Sequence, residues 1–109
     1  MYILKCGVSL HMTHEIGKML DRVCIVFQAF DVPVIITSGI DGPHRADSLH
    51  YKFRAFDIRK KFDDPIIDRT WGIHWQYILE ALKIQFDAYK LPVRCINEQD
   101  HLHIEWYGP

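Results

Sequence analysis

The feature that most constrains the fold of this chain is the alternation of polar and apolar residues at its C-terminus, over 101–106. Successive side chains of a β-strand point to opposite faces. The polar residues at odd positions should therefore share one face: His101, His103 and Glu105. The apolar residues at even positions should share the other: Leu102, Ile104 and Trp106. The pattern predicts a strand with one face in the core and one face that carries chemistry.

A second short strand is predicted over Ala55-Phe56-Asp57-Ile58. Phe56 and Ile58 fall on its apolar face, and Asp57 falls on the opposite face. If this strand lies beside the C-terminal one, Asp57 and His103 project into the same space. The two segments are far apart in the sequence, so this is a prediction about tertiary structure.

The same region supplies the donor atoms of a metal centre. His50 precedes the first strand, and Asp100 begins the second. Zinc binds imidazole nitrogen and carboxylate oxygen, and a catalytic zinc site leaves one position for water. We therefore interpret His50, Asp57 and His103 as the zinc ligands and Asp100 as the general base.

The order of these residues resembles a known family. The chain has Ser-x-His, then Ala-x-Asp, and much later Asp-x-x-His with another His two places before the last. This pattern is similar to the zinc D-alanyl-D-alanine carboxypeptidases, a family that includes dipeptidases, phage endolysin endopeptidases and the hedgehog signalling domain. The matching positions are Ser48, His50, Ala55, Asp57, Asp100, His101 and His103.

The resemblance implies a zinc-dependent peptidase that hydrolyses a peptide bond in peptidoglycan stem peptides, as a carboxypeptidase or as an endolysin-type endopeptidase. It assigns Asp100 as the base, with Glu98 as the second candidate. His101 would stabilise the oxyanion, and Ser48 would bind substrate or orient a ligand. Glu105 is a candidate to hold a ligating imidazole in its tautomer.

Two departures from the family pattern favour an alternative. Phe53 stands where the family usually has Gly, and Ile40 and Asp41 follow Ser38-Gly39 where an Arg usually follows. Arg45 is the candidate substitute that would bind a substrate carboxylate. The alternative is a non-catalytic zinc-binding module of the same fold, serving structure or partner binding. An ordinary α+β domain without metal is the least favoured interpretation.

The remaining pattern predicts a small single α+β domain over 1–109, with a mainly antiparallel sheet and two main helices, like the hedgehog and carboxypeptidase domains. The elements expected in chain order are a helix capped by Ser9 or Thr13 and running to about Phe30, strands over 34–37 and 55–58, a helix from Asp64-Pro65 or Asp68 to about Ala88, and a hairpin of 93–96 and 101–106.

Composition limits the partners and the compartment. A net charge of −1 argues against a broad basic surface for nucleic acid. The cysteines Cys6, Cys24 and Cys95 form no CxxC pair and are expected to be reduced. No signal peptide or membrane span is apparent, which predicts cytoplasmic synthesis. With the resemblance, the small size suits a phage-type lytic protein released to the cell wall.

Overall fold

A computed structural model describes residues 2–4, 8, 10, 12–39, 54–60 and 65–108, without the side chains of 67, 68 and 70–74. Within these residues the chain forms two helices and five strands. The elements are β1 (Ile3–Leu4), α1 (His14–Ala29), β2 (Ile35–Ser38), β3 (Ala55–Arg59), α2 (Pro65–Ala88), β4 (Val93–Asn97) and β5 (His101–Trp106). The predicted α+β fold with two main helices is confirmed.

Helix α1 begins at the cap that the sequence offers. The Thr13 hydroxyl accepts a hydrogen bond from the Ile16 N–H at 3.2 Å, which satisfies one of the free donors of the first turn. Asp31 then adopts a left-handed conformation with φ of 57° and donates its N–H to the Gln28 carbonyl. Of the two predicted caps, Thr13 is therefore the one used. The buried side of the helix is made by Ile16, Met19, Leu20, Val23, Val26 and Phe27.

Helix α2 begins at Pro65, which suits the first helical position because proline has no N–H to leave unpaired there. Its buried residues Ile78, Leu82 and Phe86 recur every four positions and form one apolar stripe. The helix ends before Lys90, another left-handed residue, with φ of 56°. In the described part of the chain, neither helix has a stretch apolar enough to cross a bilayer.

The sheet has the strand order β1-β2-β3-β5-β4. β1 runs parallel to β2, whereas the other three pairings are antiparallel. The sheet is thus mixed, which corrects the expectation of a mainly antiparallel sheet. The reason is that helix α1 connects β1 to β2. A helical crossover carries the chain back to the end of the sheet where it started, so that the second strand runs parallel to the first.

The core lies between the helices and one face of the sheet. Phe56, Ile58, Leu102 and Ile104 are fully buried and belong to the same cluster as the apolar residues of both helices. Because strand side chains alternate, the polar residues between them must lie on the opposite face. The alternation predicted from the sequence is therefore confirmed in β3 and β5. The candidate site lies on the face of these strands that points away from the helices.

Two of the three cysteines, Cys24 and Cys95, belong to the described residues, whereas Cys6 lies outside them. Cys24 and Cys95 form no disulfide within the described part of the chain, and both are partly buried against the core. Burial raises the pKa of the Cys95 thiol to about 12. A thiol with so high a pKa has almost no thiolate at neutral pH and is therefore a poor nucleophile.

The C-terminal segment is held against the start of β4. Tyr107 donates its N–H to the Pro92 carbonyl at 2.8 Å, and the Arg54 guanidinium donates to the Gly108 carbonyl. A Cβ at Gly108 would lie 2.4 Å from Cγ and 2.7 Å from Cβ of Pro92. Only glycine permits this close approach, because a proline ring cannot move aside as a flexible side chain can.

We therefore expect Gly108→Ala to lower the free energy of unfolding by about 1–3 kcal/mol, the usual cost of overpacking. Gly17→Ala is the matched control, since the nearest atom to its new Cβ is the sulfur of Met12 at 3.8 Å. That change should raise the free energy of unfolding by about 1 kcal/mol, because alanine is the better helix former. Urea denaturation of the parent and the two variants measures these free energies of unfolding. Equal stability of the two variants would contradict the close approach of Gly108 to Pro92.

Candidate functional site

The centre of the candidate site is the pair Asp57 and His103. These residues are direct register partners on β3 and β5. Nδ1 of His103 lies 2.9 Å from Oδ1 of Asp57, and their side chains are only 15% and 11% exposed. Two of the three predicted metal ligands are thus brought together as the strand alternation predicted.

A second carboxylate contacts the other ring nitrogen of His103. Nε2 lies 2.7 Å from Oε1 of Glu105, which is two residues further along the same strand face. The other oxygen of Glu105 lies 2.8 Å from Nε of Arg94. His103 is therefore bound between two carboxylates, one at each ring nitrogen, and Glu105 contacts a candidate ligand, while its predicted role in fixing the tautomer stays a prediction.

The predicted base lies beside this pair, at the end of the β4–β5 turn. Asp100 is 72% exposed, and its Oδ1 lies 2.7 Å from Nδ1 of His101. Nε2 of His101 lies 3.8 Å from the second oxygen of Asp57. The ionisable groups therefore form a continuous series across one face of the sheet, in the order Arg94, Glu105, His103, Asp57, His101 and Asp100.

The turn that carries Asp100 is held by Lys60. The Lys60 N–H donates to the Asp100 carbonyl at 3.1 Å, and its ammonium group donates to the Glu98 carbonyl at 2.6 Å and to the side chain of Asn97. Lys60 also lies over the Trp75 ring, 4.6 Å from its centroid. Glu98, the second candidate base, is exposed, and its backbone closes the turn by donating to His101.

The remaining predicted site residues lie outside the described part of the chain. These are the third ligand candidate His50, and the substrate-binding candidates Ser48 and Arg45. Among the residues that the structure does describe, no three His, Cys, Asp or Glu side chains are arranged to hold a metal ion. The prediction of a three-residue zinc centre therefore remains a prediction.

The two neighbouring carboxylates change the proton affinity of His103. Burial of the ring lowers the pKa, but the hydrogen bonds and charges of Asp57 and Glu105 raise it by more. The net pKa of His103 lies above its ordinary value. A positive charge on the His103 ring is thus favoured by its surroundings.

Sequence reasoning missed Arg94. The signal was present in the hairpin, because residues equally distant from a tight turn face each other across an antiparallel pair. Glu98 pairs with His101, and counting outward from them brings Arg94 opposite Glu105. Opposite charges at these positions therefore indicated a cross-strand ion pair.

The arrangement has the donor chemistry of a zinc site. An imidazole nitrogen and a carboxylate oxygen from adjacent strands face each other, and the second ring nitrogen is bound by another carboxylate. Ligating histidines usually donate their other N–H to such a group. Asp57 and His103 thus offer two donor types that zinc accepts, and the exposed carboxylate Asp100 lies three residues before His103 in the sequence.

Comparison of the chain with protein-family models, with curated proteins and with solved structures finds no match.

We expect the metal-free protein to show a His103 pKa above the ordinary 6.5. A raised folded-state pKa means that His103 stabilises the fold fully below the unfolded pKa, and that this contribution is lost as the pH rises through the folded value. Asp57→Asn should lower the pKa of His103, because it removes a neighbouring negative charge. NMR titration of the ring protons measures the pKa of His103 in the parent and in the variant. A pKa at or below 6.5 in the parent would rule out the pairing of His103 with the two carboxylates.

Proposed function

We propose that the protein is a zinc-dependent peptidase that hydrolyses a peptide bond in peptidoglycan stem peptides. The observation that supports it most is the pairing of Asp57 with His103 across β3 and β5, with Asp100 exposed beside them. The resemblance in residue order supplies the substrate class. The bond cleaved is either terminal, as in a carboxypeptidase, or internal, as in an endolysin-type endopeptidase.

In this proposal His50, Asp57 and His103 hold the zinc ion. When bound, zinc would polarise the scissile carbonyl and acidify a water molecule. The contacts of His103 support its role as a ligand. Nδ1 lies beside Asp57, the other proposed ligand, while Nε2 is bound by Glu105, so a zinc ion held by both ligands would replace the proton shared between Nδ1 and Asp57.

Asp100 is the proposed general base. Its carboxylate is largely exposed, so it can take a proton from the attacking water and deliver it to the leaving amine. The Lys60 N–H fixes the backbone of Asp100, which limits the movement of this carboxylate. His101 contacts both Asp100 and Asp57, and it is proposed to stabilise negative charge on the substrate oxygen. Ser48 and Arg45 are proposed to bind substrate, Arg45 through a carboxylate.

A non-catalytic zinc-binding module is the second candidate. It is favoured by Phe53 and by the absence of an Arg soon after Ser38-Gly39. Metal binding without turnover of any stem peptide would support this module and exclude the peptidase.

We expect the purified protein to bind one zinc ion per chain, and alanine at His50, Asp57 or His103 to reduce zinc content sharply. His14→Ala is the matched control, since His14 is an exposed histidine at the start of α1. Metal analysis after dialysis against a weak chelator gives the stoichiometry. Full zinc content in a variant with all three alanines would show that the ligand assignment is wrong.

We expect Asp100→Asn to retain the fold and the zinc but to lose hydrolysis by about 10²–10⁴-fold, the usual contribution of general acid–base catalysis. Glu98→Gln tests the second candidate base in the same turn and should keep most of the activity. The measurement is release of product from a stem peptide, with and without chelator. Parent-like cleavage by Asp100→Asn together with loss in Glu98→Gln would transfer the role of base to Glu98.

A further inference from the structure

Arg94 lies at one end of the series of ionisable groups, on the edge strand β4. It is the register partner of Glu105, with Nε at 2.8 Å from Oε2. The two side chains differ greatly in exposure, at 59% for Arg94 and 11% for Glu105. A solvent-exposed cation is thus directly connected to a carboxylate that is buried against the candidate site.

The position of Arg94 is supported by the C-terminal segment. The Arg94 guanidinium lies over the Tyr107 ring, 5.3 Å from its centroid. The backbone of Tyr107 is in turn held by its hydrogen bond to Pro92 at 2.8 Å, and the next residue is held by Arg54. Arg94 therefore has a ring and a carboxylate that restrict its conformations, unlike a typical exposed arginine.

Glu105 uses one oxygen for each neighbour. Oε1 contacts Nε2 of His103, and Oε2 contacts Nε of Arg94. A carboxylate that binds two donors through separate oxygens can rotate only by breaking one contact. The orientation of the Glu105 carboxylate, and through it that of the His103 ring, therefore depends on Arg94.

We propose that Arg94 and Glu105 form a positioning pair that holds the His103 ring with Nε2 toward Glu105 and Nδ1 toward Asp57. The pair would determine which ring nitrogen is available to a metal ion, and the consequence for metal affinity rests on the proposed zinc function. Partners of this kind typically change metal affinity 10–100-fold when they are mutated. Neither residue needs to contact a substrate or a metal for this role.

The first experiment uses metal-free protein, so that it does not depend on zinc. Long-range ¹H–¹⁵N NMR of protein labelled at histidine nitrogen, at one pH, reports the two ring nitrogens of His103. In the parent, a hydrogen bond to Glu105 should shift the Nε2 proton downfield and protect it from exchange with water. Arg94→Met should weaken that protection, because Glu105 loses the contact that orients it, and Arg94→Lys should restore part of it by returning the positive charge.

Arg22→Met is the matched control. Arg22 also lies over a tyrosine ring, at 4.2 Å from the centroid of Tyr89, but it is on helix α1. Its loss should change stability without changing the His103 signals. A general effect of losing an arginine that stacks on a tyrosine would therefore appear in both variants, and a positioning effect only in Arg94→Met.

The second experiment measures the zinc dissociation constant by chelator competition. Arg94→Met should weaken binding about 10-fold, the low end for residues behind a ligand, whereas Arg94→Lys should recover most of the affinity and Arg22→Met should match the parent. Rapid exchange of the Nε2 proton with water in the parent would overturn the proposal of a positioning pair. So would an Arg94→Met variant whose His103 signals and zinc affinity equal those of the parent. A parent that binds no zinc would instead overturn the proposed function, and the ring signals alone would then decide on the pair.

Discussion

The pairing of β3 with β5 is the constraint on which the candidate site depends. It places Asp57 opposite His103, and its register is maintained by the buried residues Ile58 and Leu102 on the other face. A slip of one residue would turn every side chain of a strand to the opposite face. That slip would bury the polar groups among the helices and expose core residues to water. The packing of the core therefore also determines the geometry of the polar site.

Two carboxylates are buried at the candidate site. As whole residues, Asp57 and Glu105 are both only 8% exposed, and removing a carboxylate from water is costly unless it is paired. His103 and Arg94 provide that pairing. Buried ion pairs contribute little to stability compared with apolar residues of similar size. The stability of the sheet therefore comes mainly from the apolar residues on its other face rather than from this polar group.

The described strands β2 and β3 lie on either side of a sequence segment that contains further candidate residues. β2 ends at Ser38, which is the register partner of Asp57, and the chain re-enters the sheet beside Arg54. The predicted residues His50, Ser48 and Arg45 belong to the sequence between these two points. Ser38 therefore lies beside Asp57, and the Arg54 carbonyl accepts a hydrogen bond from the Trp106 N–H where β3 pairs with β5.

Local sequence determined the elements and the two faces of each strand. The alternation over 101–106 and the helix-start signals near Thr13 and Pro65 act over a few residues, so pattern predicts them, with Ser9 and Asp68 left as alternative caps. Only the tertiary structure decided that β1 joins the sheet in parallel and that Asp57 and His103 approach within 2.9 Å. The physical reason is that strand pairing over long sequence separations depends on how the whole core packs. Alternation indicates which face a side chain occupies, but not which strand lies beside it.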